Sequence, residues 1–297
     1  MRSRLFIYIA LITDGIIAIT KFIVAIITGS SAMISEGIHS VIDCISQILL
    51  IWGIRISKKQ PDEKRPFGYG RELYFWSFMV SLIMFSLGGC IALYEGVIRF
   101  RRLAHIENPG WNYLVLAVAA VFTAISAMAS LKAFNKQQGD IPFWQAVTQS
   151  KDPTVFIVLL GDFGDLLGII VAFLGIYIGH RLHDPHYDGI ASMLIGVILI
   201  GISMILLRES RSLLMGETLS RKALKLIIAL TEADESVVKV KKHFSTYLAP
   251  EEIVLQMITV FKDNMTTQQI TEAIDRIIKK IQQKFPRVKQ IFIEPGR

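Results

Sequence analysis

Six apolar runs, at about 5 to 28, 31 to 56, 74 to 98, 112 to 133, 154 to 180 and 188 to 207, constrain this chain more than any other feature. A hydrocarbon core of about 30 Å takes roughly 20 helical residues, and in lipid every backbone N–H and C=O must be satisfied internally. The expected fold class is therefore membrane α-helical, with six transmembrane helices. With 52% apolar and 19% charged residues, the chain is also far too apolar for a disordered, collagen-like or water-soluble protein. The first run follows only Met-Arg-Ser-Arg, is longer than a signal-peptide core and lacks a convincing cleavage site, so it reads as a retained helix.

A net charge of +7 could suggest nucleic acid, but the basic residues bracket the apolar runs. Counted near the run ends, thirteen Lys and Arg fall on one side, whereas Arg99, Arg101, Arg102 and Arg181 alone fall on the other. The positive-inside rule then expects both termini in the cytoplasm of a multi-pass protein, with a bacterial inner (cell) membrane as the expected location and no nucleic-acid partner. Trp52, Tyr74, Phe75, Trp76, Trp111 and Tyr113 sit near predicted run ends, where amphipathic rings favour the headgroups, and Trp144 is expected at an interface too. Cys44 and Cys90 both lie in apolar runs, which excludes a disulfide framework or a cysteine-based zinc finger. The fourth run carries Ala117, Ala120, Ala124, Ala127 and Ser130 at three- and four-residue spacing, a small face that permits close packing.

From 209 to 297 the chain carries fifteen basic and eleven acidic residues and no run long enough to cross. Residues 1–208 read as a six-helix membrane domain and 209–297 as a small cytoplasmic α+β domain ordered helix, strand, strand, helix, strand. Its second helix is the surest, with Ile270, Ala273, Ile274, Ile277, Ile278 and Ile281 at helical spacing behind a Thr266–Gln269 capping box. Lys239, Lys241, Lys242, Lys279 and Lys280 read as a solvated face.

Ionisable side chains inside an apolar run cost roughly 2.5–3.5 kcal/mol each on insertion scales, so each is a functional candidate. Here they gather in runs one, two and five: Asp14, Lys21, Glu36, His39, Asp43, Asp162 and Asp165. Glu36, His39 and Asp43 are three and four residues apart and share one helix face, as do Asp162 and Asp165. Imidazole and carboxylate four residues apart can grip one divalent ion, and two such faces turned together supply one His and two or three carboxylates, enough for a four-coordinate site. A structural reading competes: Lys21 could neutralise Asp14, and a lone Asp could serve a helix–helix hydrogen bond. Against it, the excess of acidic groups in a low-dielectric region needs a cation or protons.

The stretch from Ser35 to Asp43, followed by Pro61-Asp62-Glu63 and Pro66-Phe67-Gly68-Tyr69-Gly70-Arg71-Glu72, resembles the second span and following loop of the cation diffusion facilitators. The run from Gly68 to Trp76, with Ser150-Lys151-Asp152-Pro153-Thr154, looks most like the branch containing zinc transporter nine. The resemblance implies a ferredoxin-like, dimeric C-terminal domain and export of a divalent cation, Zn²⁺ first, by proton antiport through a site on spans two and five. Zn²⁺ would be the transported substrate, with no cofactor and no enzymatic activity. His39 and Asp43 match the family's span-two motif, Glu36 falls where relatives often have an acidic residue, and Asp162 matches the span-five Asp. Val158 occupies the place of the span-five His, which makes Asp165, one turn on, the candidate replacement. The loss of an imidazole hardens the ligand set toward Mn²⁺ or Fe²⁺, the alternative cargoes. Protons and metal should compete for His39, Asp43 and Asp162, with imidazole, whose ordinary pKa is about 6.5, as the natural proton carrier. Arg65 and Tyr69, and likewise Lys241 and Met257, stand where relatives place metal-binding His. A non-transporting metal-responsive scaffold is the reading from another class. An intramembrane metalloenzyme would need a run such as His-Glu-xx-His, which is absent here.

Overall fold

A computed structural model of the chain describes residues 5–28, 31–101, 109–138, 150–184 and 186–296. Helices α1 (Leu5–Thr28) and α2 (Ser31–Ile56) are followed by α3 (Glu72–Arg101), α4 (Pro109–Gln138), α5 (Pro153–Leu182) and α6 (His186–Met215). Within α2 to α6, five segments of the described residues are long and apolar enough to cross a membrane. The six-span expectation thus has five such helices behind it, with α1 a further 24-residue helix broken in its apolar character only by Asp14 and Lys21. Ile17 and Val24 of α1 share a buried core with Ala92 of α3, Leu116 of α4, Ile176 of α5 and Leu199 of α6. The expectation for Trp144 lies outside the described residues. Trp52 and Trp111 are more than half exposed, as interfacial rings should be, but Tyr74 is fully buried and its hydroxyl donates to the Lys151 carbonyl at 3.3 Å. It packs the bundle rather than marking its edge.

The Asp152-Pro153-Thr154 motif starts α5. The Asp152 carboxylate accepts from the Thr154 amide at 3.1 Å, and Pro153 takes the first turn, where a missing N–H costs nothing. Helix α3 is interrupted at Met84–Cys90 by a π-helical stretch, a local widening that holds one surplus residue in the turn.

Glycines bring α3 and α6 into backbone contact. A Cβ built at Gly96 would stand 2.5 Å from the Met193 amide nitrogen, and one at Gly196 would stand 2.5 Å from that of Leu93. Ordinarily a helical Gly→Ala change gains about 1 kcal/mol in propensity. Here the opposing atoms are backbone and cannot swing aside, so steric strain wins. Gly196→Ala is expected to lose about 1–3 kcal/mol of stability, read as earlier thermal unfolding in detergent. A variant at least as stable as the parent would remove the close seam.

Two compact units are present, Met1–Ile56 with Glu72–Arg211, and Ser57–Arg71 with Ser212–Arg297. In the second, α7 (Arg221–Glu232), β1 (Val237–Ala249), β2 (Glu252–Phe261), α8 (Thr267–Lys284) and β3 (Val288–Gly296) follow the expected order. The three strands lie in the order β1-β2-β3, with β1 and β2 antiparallel and β2 and β3 parallel across the α8 crossover. The described residues thus give αββαβ, without the first strand of a ferredoxin-like βαββαβ arrangement. Ile253, Leu255, Met257, Thr259 and Phe261 alternate into the core, where they meet Ile227 of α7 and Ala273, Ile277 and Ile281 of α8. Thr266 caps α8 in the expected capping box. Asp234 accepts from the Arg276 side chain at 3.3 Å and the Ser236 amide at 3.2 Å. Burial pushes its carboxyl up, but these donors outweigh it and hold the group below the usual carboxylate range. The stability this pairing contributes is present above the ordinary pKa of about 3.9 and is lost as pH falls through the lowered value.

The loop 57–71 packs within this unit. Gly68 has φ +79°, a left-handed conformation open to glycine, and a Cβ at Gly70 would stand 2.8 Å from the Leu248 carbonyl oxygen. Glycine is therefore required at both positions of the Gly68-Tyr69-Gly70 motif by backbone geometry alone.

Candidate functional site

The helical period of α2 places Glu36, His39 and Asp43 on one buried face, and Gln47 extends that face by another turn. Helix α5 brings Asp165 to the same place. His39 Nε2 is the meeting point: it is in hydrogen-bond contact with Asp165 Oδ1 and 3.5 Å from Asp43 Oδ2. Among the described residues, His39, Asp43 and Asp165 are the group that offers three metal-ligating atoms within 4.8 Å of one another. Around a zinc-sized ion with bonds near 2.0–2.2 Å, opposed donors stand at most about 4.4 Å apart, so only a small closure would bring all three onto one ion. One imidazole nitrogen and two carboxylate oxygens also match the +2 charge of such an ion with two negative charges.

The other expected ligands are placed differently. Asp162 lines the same cavity as Asp43 and Asp165, but its carboxylate accepts from Ser126 at 3.1 Å and Ser130 at 2.8 Å, both on α4. Glu36 points to Lys21 of α1: the ammonium lies 2.9 Å from Glu36 Oε2 and 3.0 Å from Ser40 Oγ, with both charged side chains at most 5% exposed. The competing structural reading, in which Lys21 neutralises Asp14, gives way to the Lys21–Glu36 pair. Glu36 stands one turn nearer the start of α2 and captures the lysine, while Asp14 accepts from Gln47 Nε2 instead. Val158 is buried on the cavity wall with Asp162 and Asp165.

Reading from sequence places Ser130 on a packing face and misses the role of both serines at Asp162. Ser126 and Ser130 are four residues apart on α4 and so share a face, a signal legible only once Asp162 is known to lie opposite them. The small-residue face of α4 is buried only in its later part. Ala127 and Ser130 are enclosed, whereas Ala117 is exposed.

Outside the bundle, no comparable cluster forms among the described residues. Asp62 accepts from the Tyr69 hydroxyl at 2.6 Å and the Arg65 amide at 2.8 Å, and the Arg65 guanidinium lies 4.6 Å from the Tyr69 ring centre. The Tyr69 hydrogen bond, with the backbone amides, holds the Asp62 carboxyl below its ordinary range. These residues tie the loop together. Met257 is fully buried core, and Lys241 and His243 are exposed on β1.

The cation efflux transmembrane domain matches residues 7–215. Among similar proteins are the human proton-coupled zinc antiporter SLC30A9, mitochondrial, 27% identical over 290 residues, covering 96% of this chain and 51% of that protein, and its Xenopus laevis counterpart, 26% identical over 280 residues, covering 93% and 50%. The manganese efflux system protein MneP of Bacillus subtilis is 27% identical over 219 residues, covering 72% of this chain and 69% of that one. The chain spans about half the length of the two zinc antiporters. The match covers the helices that carry His39, Asp43, Asp162 and Asp165, and the branch expected from the loop motif is the one represented by the zinc antiporters. By this match and the apolar helices that underlie it, the chain is a multi-pass integral membrane protein and belongs to the cation efflux family, the cation diffusion facilitators.

Proposed function

We propose that this chain exports a divalent cation, Zn²⁺ foremost, in exchange for protons by alternating access, with six spans and both termini in the cytoplasm. The observation that carries the reading is the convergence of His39, Asp43 and Asp165 from two apolar helices onto one point. A metal needs these ligands deprotonated, so ion and protons displace one another there. Asp162 lines the same cavity with its oxygens held by the Ser126 and Ser130 hydroxyls, and Glu36, paired with Lys21, sets the charge balance beside them. The zinc antiporters support Zn²⁺, and their names place them in mitochondria, while the bacterial manganese exporter supports a bacterial cell membrane as a second location for a chain of this kind. Phe244 and Phe292, exposed on strands of the soluble sheet, support a homodimer in which a second copy covers them.

Purified chain in proteoliposomes under a pH gradient tests this. Each imported metal should move protons the other way, read with an internal pH dye. Metal binding with no proton movement would favour the scaffold reading instead.

A second cargo reading, Mn²⁺ or Fe²⁺, is favoured by Val158 and by the resemblance to MneP. With one imidazole and two carboxylates, the donor set is harder than a two-imidazole site. Val158→His is expected to raise Zn²⁺ over Mn²⁺ preference at least about tenfold, or about 1.4 kcal/mol of differential binding. Parallel flux assays with the two ions read it, and an unchanged ratio would show that position 158 does not face the ion.

A further inference from the structure

We propose a second cation station beside the first, one turn further along α2, built from the Asp14 carboxylate, Gln47 Oε1 and Ser46 Oγ. It deepens the cation-export reading and rests on it. Asp14 comes from α1, and Ser46 and Gln47 from α2; all three line a cavity of about 30 Å³ that also reaches Asp43, Asp162 and Asp165. About 10–15 Å³ of such space holds one water, so the cavity has room for about two small ions or waters.

Two observations independent of the acidic residues point to a ligand. Gln47 is 7% exposed and Ser46 4% exposed, yet Gln47 Oε1 and Ser46 Oγ have no hydrogen-bond partner among the described residues. The Gln47 amide is fixed by its donation to Asp14 Oδ2, which leaves the carbonyl oxygen as the free end on the cavity. Buried polar oxygens are normally paired. Lys21, the nearby basic side chain on α1, is committed to Glu36 and Ser40. A divalent cation would satisfy Asp14, Gln47 Oε1 and Ser46 Oγ together. The donor set is all oxygen and lacks the imidazole of the first site, so it suits a harder ion such as Mn²⁺, or a partly hydrated ion waiting to pass.

The probe is Mn²⁺ itself, bound to full-length purified chain and counted by equilibrium dialysis, with paramagnetic resonance reporting whether two ions lie close together. Wild type is expected to hold one more Mn²⁺ than Asp14→Asn or Gln47→Met, and to show spin–spin broadening that both variants lose. Flux at low Mn²⁺ should fall about tenfold in both, the scale on which supporting groups tune metal sites, and recover at saturating Mn²⁺. A merely structural Asp14–Gln47 contact would leave the ion count and the line shape unchanged, and that result overturns the proposal. Asp14→Glu, which keeps a carboxylate, should retain both signals. Should Asp14→Asn fail to fold, Gln47→Met decides alone. Asp43→Asn separates the two claims. Retained flux in Asp43→Asn sinks the export reading whatever Asp14 does, whereas lost flux there beside an unchanged count in Asp14→Asn sinks only the second station.

Discussion

Asp43→Ala and Asp165→Ala are each expected to cut metal-linked proton flux at least 100-fold, equivalent to about 2.7 kcal/mol. The two carboxylates and the His39 imidazole form the three-donor group, and no other such group exists among the described residues. Removing either carboxylate leaves two donors and one negative charge against a divalent ion in a low-dielectric interior, where an uncompensated charge is severely penalised. Asp162→Ala is the comparison that distinguishes roles. Because Ser126 and Ser130 already occupy its oxygens, its loss is expected to cost less, about tenfold, by removing one negative charge from the shared cavity. Proteoliposomes carrying each variant, assayed with a pH dye under the same gradient, would show the order. Wild-type flux in either the Asp43 or the Asp165 variant rejects the site.

The second large effect concerns stability. Lys21→Met should destabilise the bundle by about 3–5 kcal/mol, since it strands the Glu36 carboxylate, whose side chain is 2% exposed. Adding Glu36→Gln should restore most of that loss, because a buried ion pair replaced on both sides leaves no orphaned charge. Thermal unfolding of the two single variants and the double variant yields the coupling directly. The same double variant examines Glu36 as a ligand. Recovered stability with lost flux gives Glu36 a part in transport, whereas recovery of both confines it to neutralising Lys21. A Lys21→Met variant as stable as wild type would mean that the pair does not hold the helices.

What was legible from sequence tracks how local the signal is. The isoleucine stripe of α8 and its cap, and the αββαβ order, follow from periodicity and turn chemistry, and the structure shows the same order and the same cap. The α2 triad was legible because three- and four-residue spacing fixes a face without knowledge of any neighbour. Pairings between helices were not. Glu36 and Asp14 are equally plausible partners for Lys21 on charge grounds, and only the axial stagger of α1 against α2 decides for Glu36. Likewise, nothing in the order of α4 announces that Ser126 and Ser130 meet a carboxylate. The loop motif around Gly68 is read through resemblance to the family's loop, whereas its glycines answer to a left-handed φ and to the Leu248 carbonyl.

The wide turn at Met84–Cys90 bears on how α3 could move. A Cβ at Gly88 would come within 3.9 Å of His39 Nδ1, so the surplus residue sits level with the imidazole. Passing that surplus along by exchanging i+5 for i+4 hydrogen bonds would turn the residues it passes through by one residue's arc, about 100°, while the two ends keep their relation. Gly96 against α6 and the buried Tyr74 against Lys151 hold the two ends of α3, so the wide turn could re-aim the stretch level with the imidazole without disturbing either end.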